Sequence, residues 1–126
     1  MIASSLTRPV PLSPQPAAAR RQVGQLLADA GWDGDPDSVI LAVHEALVNS
    51  HRHGGGVTAA TVSMDGSAVV VEVRDRGRGF AVPESTTMPD PAAERGRGLF
   101  LIGQLADRAQ VSRSGNDVCL QMRFER

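Results

Sequence analysis

The sequence predicts an α/β (α+β) two-layer sandwich in which three helices cover one face of a mixed, mostly antiparallel sheet. Three segments carry apolar residues at steps of three and four, which is typical of helices packed on a sheet. Two pairs of strand-like runs are each joined by a short glycine-containing turn, which is typical of hairpins. The length of 126 residues predicts one domain, 1–126.

The first half of the chain is predicted to hold an extended arm and two helices. Residues 1–16 contain four prolines, which favours an extended arm or an edge strand, and we expect this arm to pack late or loosely. Helix formers fill Ala17–Ala30, and Gly31 supplies the end of this first helix. The second helix is predicted to begin near Pro36, where proline and acidic residues suit a helix start, and to run to about His53.

The second half is predicted to hold two hairpins with a loop and a third helix between them. The segment 81–95 is rich in proline and long for a connection, so we expect a lid or a binding loop there. The third helix is predicted over Leu99–Arg108. The strands are expected at Val57–Met64, Ala68–Arg74, Ala109–Arg113 and Asp117–Phe124.

Composition argues against several classes of function. The net charge is −1 and the arginines are scattered, so a nucleic-acid partner is not expected. Lysine is absent from the chain, which excludes a P-loop lysine. No apolar run approaches the roughly 18 residues of a membrane span, and the first residues lack a secretory signal pattern, so we expect a cytoplasmic protein. The single cysteine, Cys119, is expected to be a buried small hydrophobe.

The second predicted helix carries a polar face. Glu45, Asn49 and His53 follow one another at intervals of four and therefore share one side of a helix. A carboxylate and a carboxamide one turn apart suit a hard cation such as magnesium with its waters. The alternative is an ordinary solvated face. A zinc site formed by His44, His51 and His53 is a weaker alternative, because His53 points elsewhere and no convincing fourth ligand is near in the sequence.

A glycine motif follows directly after the second predicted strand. Asp75 is held by the strand end, while Gly77 and Gly79 allow the backbone to approach a flat ligand closely. The alternative is a plain tight turn closed by a hydrogen bond of the aspartate side chain.

A second glycine motif stands directly before the third predicted helix. Gly96, Gly98 and Leu99 place a glycine-rich turn at a helix start, where free N–H groups attract anions such as phosphates. Arg95 or Arg97 can add a charge-assisted contact. The alternative is a hinge without a ligand.

The three motifs together resemble the N, G1 and G2 boxes of the GHKL ATPase superfamily. The boxes are E-A-x-x-N at 45–49, D-x-G-x-G at 75–79 and G-x-G-L at 96–99. The resemblance covers roughly Pro16 to Phe124 and is closest to short standalone relatives of bacterial anti-sigma-factor serine kinases. Those proteins share the A-R-R segment before the first helix, here Ala19–Arg21.

This resemblance implies a role for each box residue. Asn49 would be a magnesium ligand, and Glu45 would activate the attacking hydroxyl or water. Asp75 would accept a hydrogen bond from the adenine amino group of ATP. Gly77 and Gly79 would form the wall of the purine pocket.

The resemblance also implies a lid and a function. The turn at 96–99 would close the lid, 81–95, over the triphosphate. The implied function is an ATP- and magnesium-dependent kinase that phosphorylates a serine or threonine of an anti-anti-sigma (STAS) partner, sequesters a sigma factor and regulates transcription. The resemblance also implies a homodimer. The alternative is a nucleotide-binding module without turnover, because Asn116 and Asp117 stand where relatives often have threonines. A weaker alternative is a chain that has lost nucleotide binding.

Overall fold

A five-stranded antiparallel sheet forms one layer of the computed structural model, which describes residues 6–53, 56–76 and 101–126. Its strands lie in the order β1-β2-β3-β5-β4, and each described pairing is antiparallel. Helices pack on one face of this sheet, so the predicted α+β sandwich is confirmed. The strands are β1 (Val10–Pro11), β2 (Val57–Asp65), β3 (Ala68–Asp75), β4 (Arg108–Ser114) and β5 (Asp117–Phe124).

Two long helices lie close to their predicted bounds. Helix α1 spans Pro16–Ala30 and ends at Gly31, whose φ of 67° is the left-handed conformation that favours glycine. Helix α2 spans Pro36–His53. The carboxylate of Asp35 caps its start, accepting hydrogen bonds from the Asp37 N–H at 3.1 Å and the Ser38 hydroxyl at 2.8 Å. No helix within the described ranges is long and apolar enough to cross a membrane.

The third predicted helix ends earlier than expected. Residues 101–105 are helical, but Arg108 already belongs to β4, so the predicted end at Arg108 is wrong. The reason is backbone pairing, because the Asp107 N–H donates to the Arg123 carbonyl at 2.9 Å and starts the strand. The predicted lid, 81–95, and the start of this helix lie outside the described residues.

Both predicted hairpins are present and are closed by glycine turns. Gly66 and Gly115 occupy the first central position of two-residue turns, with φ values of 64° and 62°. This is the position that a type II′ turn reserves for glycine. The pairs Asp65–Ala68 and Ser114–Asp117 flank the turns and set the register of both hairpins.

The core lies between the sheet and the helices. Alternate residues of β3 and β5 face the helices, as the period of two in a strand requires. The apolar stripe of α2 covers them, with Val39, Val43 and Leu47 fully buried. The inner sheet residues are Val62, Val69, Val71, Val73, Val118, Leu120, Met122 and Phe124.

The N-terminal arm packs more tightly than predicted. Its strand, β1, pairs with β2 at the sheet edge, which confirms the expected edge strand. Leu6 and Leu12 are 0% and 7% exposed, however, and both join the core. The Leu12 N–H also donates to the Ala60 carbonyl at 2.8 Å. The expectation of loose packing is therefore wrong for this part of the arm, because two leucines anchor it.

Candidate functional site

Asp75 is the last residue of β3 and the only charged side chain among the buried residues of the described chain. It follows Val69, Val71 and Val73 on the inner face of the strand, and all four are 0% exposed. A carboxylate in this position has lost its water and needs hydrogen-bond donors. The strand therefore fixes an acceptor group at the end of an otherwise apolar face.

One donor to this carboxylate comes from α2. The Ser50 hydroxyl donates a hydrogen bond to Oδ2 of Asp75 at 3.0 Å, and Ser50 itself is 0% exposed. This bond joins the polar end of α2 to the end of β3. Sequence analysis missed Ser50, although it lies seven residues after Val43 and thus on the buried stripe of the helix. A buried hydroxyl requires a hydrogen-bond partner, so a serine on the apolar stripe of the helix could have been identified from the sequence as a residue with a specific contact.

Asn49 and Glu45 lie on α2 beside this contact. Asn49 is 6% exposed and is the neighbour of Ser50, and Glu45 lies one turn earlier and is half-buried. The residue that directly follows the N box, Ser50, therefore meets the aspartate of the G1 box. Magnesium usually takes one or two protein oxygens and completes its shell with water and phosphate. A carboxylate and a carboxamide one turn apart fit that requirement.

The two α2 histidines with described side chains have different surroundings. The His51 ring Nε2 lies 2.8 Å from the Pro14 carbonyl of the arm. His44 is half-buried, and its Nδ1 has no hydrogen-bond partner among the described residues. Within the described ranges, no three His, Cys, Asp or Glu side chains are grouped as a metal site. The zinc alternative includes His53, whose side chain lies outside the described part of the structure, and it stays untested.

The last hairpin lies next to the candidate site. Asp75 pairs with Val118 of β5, so the turn at Gly115 projects from the same end of the sheet. Asn116 is exposed and Asp117 is half-exposed. The residues that replace the threonines of relatives therefore stand close to the buried carboxylate.

Several predicted site residues lie outside the described residues. Their roles stay predictions, and the structure tests none of them. They are Gly77, Gly79, Arg95, Gly96, Arg97, Gly98 and Leu99.

Comparison with known families identifies the fold and the class of protein. The histidine kinase-like ATPase domain model matches residues 11–124, so the chain belongs to that family. This confirms the GHKL resemblance seen in the three boxes. A search of curated proteins finds no match.

Two solved structures share the fold at low sequence identity. The RsbU and RsbW domains of Rv1364c from Mycobacterium tuberculosis are 18% identical with a TM-score of 0.65, over 94% of this chain and 32% of that one. The Acinetobacter baumannii histidine kinase AdeS is 16% identical with a TM-score of 0.53, over 72% of this chain and 47% of that one. This chain thus spans less than half of either relative.

Proposed function

We propose that this protein is an anti-sigma-factor-like serine/threonine kinase that uses ATP and magnesium. Its substrate would be a hydroxyl of a STAS-type anti-anti-sigma protein, and its second partner a sigma factor. The proposal treats 1–126 as one cytoplasmic domain with a nucleotide lid at 81–95. We also propose that the protein forms a homodimer, because the standalone kinases that it resembles do so.

The observation that carries the proposal is the contact between Ser50, which directly follows the N box, and the aspartate of the G1 box. The Ser50 hydroxyl, next to Asn49, holds the buried carboxylate of Asp75 at 3.0 Å. A buried acceptor at the end of a strand suits a base with an exocyclic amino group, since such a donor replaces lost water. The similarity in fold to a chain with an RsbW domain supports the anti-sigma branch.

Each residue of the site has a distinct task in this proposal. Asp75 orients the adenine by accepting a hydrogen bond from its amino group. Ser50 holds the carboxylate in place for that contact. Asn49 offers its side-chain oxygen to the magnesium ion. Glu45 accepts the proton of the attacking protein hydroxyl, one helical turn from the metal ligand. ATP and magnesium, when bound, supply the phosphoryl group and neutralise its charge.

A binding module without turnover is the second candidate. Asn116 and Asp117 stand beside the site, where the replaced threonines would alter contacts near the adenine. Such a protein would hold ATP or ADP and act through protein contacts alone.

Nucleotide binding is tested first by thermal unfolding with and without Mg-ATP and Mg-ADP. We expect the melting temperature to rise by several degrees, since a ligand at 100 times its Kd stabilises the native state by about 2.7 kcal/mol. Asp75→Asn should abolish the rise. Asp29→Asn, an exposed change on α1, should retain it. The absence of any rise in the wild type at millimolar nucleotide would refute nucleotide binding.

Catalysis is tested by transfer of labelled phosphate from ATP to a purified STAS-type anti-anti-sigma protein. Glu45→Gln should lower the rate by about 100-fold or more while nucleotide binding persists. Asp37→Asn at the exposed start of α2 is the matched control and should retain the rate. Nucleotide binding without transfer in the wild type would favour the binding module.

A further inference from the structure

The sheet ends differently at its two edges. On one side β1, a strand of two residues with Pro11, covers β2. On the other side β4 runs for seven residues in unbroken register with β5, and no described strand pairs with its outer side. An edge of this length presents a row of backbone donors and acceptors that another chain can complete.

The turn at Gly115 determines which backbone groups face the open side. Ser114 and Asp117 close the two-residue turn, and such a pair exchanges its hydrogen bonds across the hairpin. Groups facing β5 then alternate with groups facing outward. The N–H and C=O groups of Ala109, Val111 and Arg113 therefore point away from the sheet.

The open edge is positively charged. Strand β4 contains Arg108 and Arg113 and no acidic residue. Arg108 stands directly opposite Arg123 of β5, and like charges in that arrangement repel. Arg123 is neutralised by Asp65 and Glu125, each 2.8 Å away. Arg108 takes part in none of the ion pairs seen within the described ranges.

A cavity of about 330 Å³ opens beside this pair of arginines on the outer face of the sheet. Its lining includes the N–H donors of Arg108 and Gln110, which suit a carboxylate. Gln121 instead donates to Glu72 at 2.8 Å, and Arg123 pairs with two carboxylates. It lies far from the candidate nucleotide site, because Asp75 is on the inner face and about 16 Å further along the strands. The lining residues are Arg108, Gln110, Gln121, Arg123 and Glu125.

We propose that β4 is the docking edge for an extended acidic segment of a partner protein. The segment adds to the sheet as a sixth strand through the outward groups of Ala109 and Val111. One of its carboxylates contacts Arg108 in the cavity. A second copy of this chain fits the edge less well, because two β4 strands would bring arginines together without an acidic partner. The inference does not depend on nucleotide binding.

The test is a titration of the full, isotope-labelled chain with a capped peptide of alternating glutamate and valine, about eight residues long. We expect the amide signals of Ala109 and Val111 to shift and to become protected from hydrogen exchange. Arg108→Gln should weaken binding about tenfold, as expected for a lost charge-assisted hydrogen bond. Arg20→Gln, an exposed change on α1, should leave binding unchanged.

Strand addition is tested separately from charge attraction. Ala109→Pro removes one outward N–H at an exposed edge position and should abolish binding. If that variant does not fold, a peptide N-methylated at alternate residues tests the same hydrogen bonds on the wild type. Binding that survives loss of these hydrogen bonds overturns the proposal.

Three further outcomes would also overturn it. One is the absence of β4 shifts at millimolar acidic peptide. Another is equal affinity for a peptide with glutamine in place of glutamate. The third is sedimentation of the free chain as a dimer that Ala109→Pro dissociates, because the edge would then belong to a second copy.

Discussion

The two faces of β3 show how one strand serves two surroundings. The inner face places Val69, Val71 and Val73 in the core and ends with Asp75, all without exposure. The outer face carries Glu72 and Arg74, which are half-buried and paired at 3.7 Å. Charge on the outer face needs no special explanation, since water solvates it. Charge on the inner face does, and at Asp75 the Ser50 hydroxyl and the proposed adenine contact would supply it.

The largest effect on stability is expected when a charge is introduced on the inner face of β3 rather than on the outer face. Val71→Asp places an unpaired carboxylate in the core and should cost more than about 4 kcal/mol of unfolding free energy, enough to leave little folded protein. Val70→Asp, one residue earlier, faces outward opposite Arg123 and should cost less than about 1 kcal/mol. Urea unfolding followed by circular dichroism measures both.

Equal losses in these two variants would contradict the separation of the faces. So would a Val71→Asp protein that unfolds at the wild-type urea concentration. Either result would refute the packing of the inner face of β3 against the helices.

A smaller effect on stability is expected when the serine that donates to the buried carboxylate is replaced. Ser50→Ala removes the hydroxyl that donates to Asp75 and should cost about 1–3 kcal/mol, because a buried acceptor loses a partner. Ser112→Ala on the exposed outer face of β4 should change stability by less than about 0.5 kcal/mol. Chemical unfolding gives both values. Identical stability of Ser50→Ala and the wild type would refute a structural role for the contact.

The smallest effect on stability concerns the ionisation of Cys119. This residue lies on the outer face of β5 and is nevertheless buried, with 9% of its surface exposed. Burial, and to a smaller extent the negative charge of Glu72, raises the pKa of this thiol, while Arg74 opposes the shift. The native state therefore holds the thiol proton to higher pH than the unfolded state does. Stability should fall as the pH rises above the usual thiol pKa, until the raised pKa is passed.

The chain suits this measurement because it has neither tyrosine nor lysine. Cysteine is then the only side chain that normally titrates between about pH 8 and pH 11. Urea unfolding across that range should show a decline in the wild type that Cys119→Ala lacks. A decline of the same size in both proteins would assign the alkaline effect to another group.

Local patterns predicted most of the fold. The bounds of α1, α2 and β5 were predicted to within one residue, because caps, glycine turns and apolar periods act between near neighbours. The end of the third helix was not, since pairing of Asp107 with Arg123 overrides helix propensity. Burial of Leu6 and Leu12 was missed for the same reason, because it depends on packing against distant residues.

The candidate site was predictable only in part. Glu45, Asn49 and Asp75 were chosen from motifs, and the structure brings the helix and the strand that carry them together. The Ser50–Asp75 bond joins residues 25 positions apart. Its existence depends on the register of α2 over the sheet, which no local pattern specifies.

The docked N-terminal arm has a consequence for how the chain is made. Leu12 bonds to Ala60, and Val10 pairs with Val62, so the arm has no partner strand until β2 has left the ribosome. The arm is translated before α1 and α2, so both helices are synthesised before the strand on which the arm docks. The arm therefore reaches its final position only after the segment that follows α2 has been synthesised.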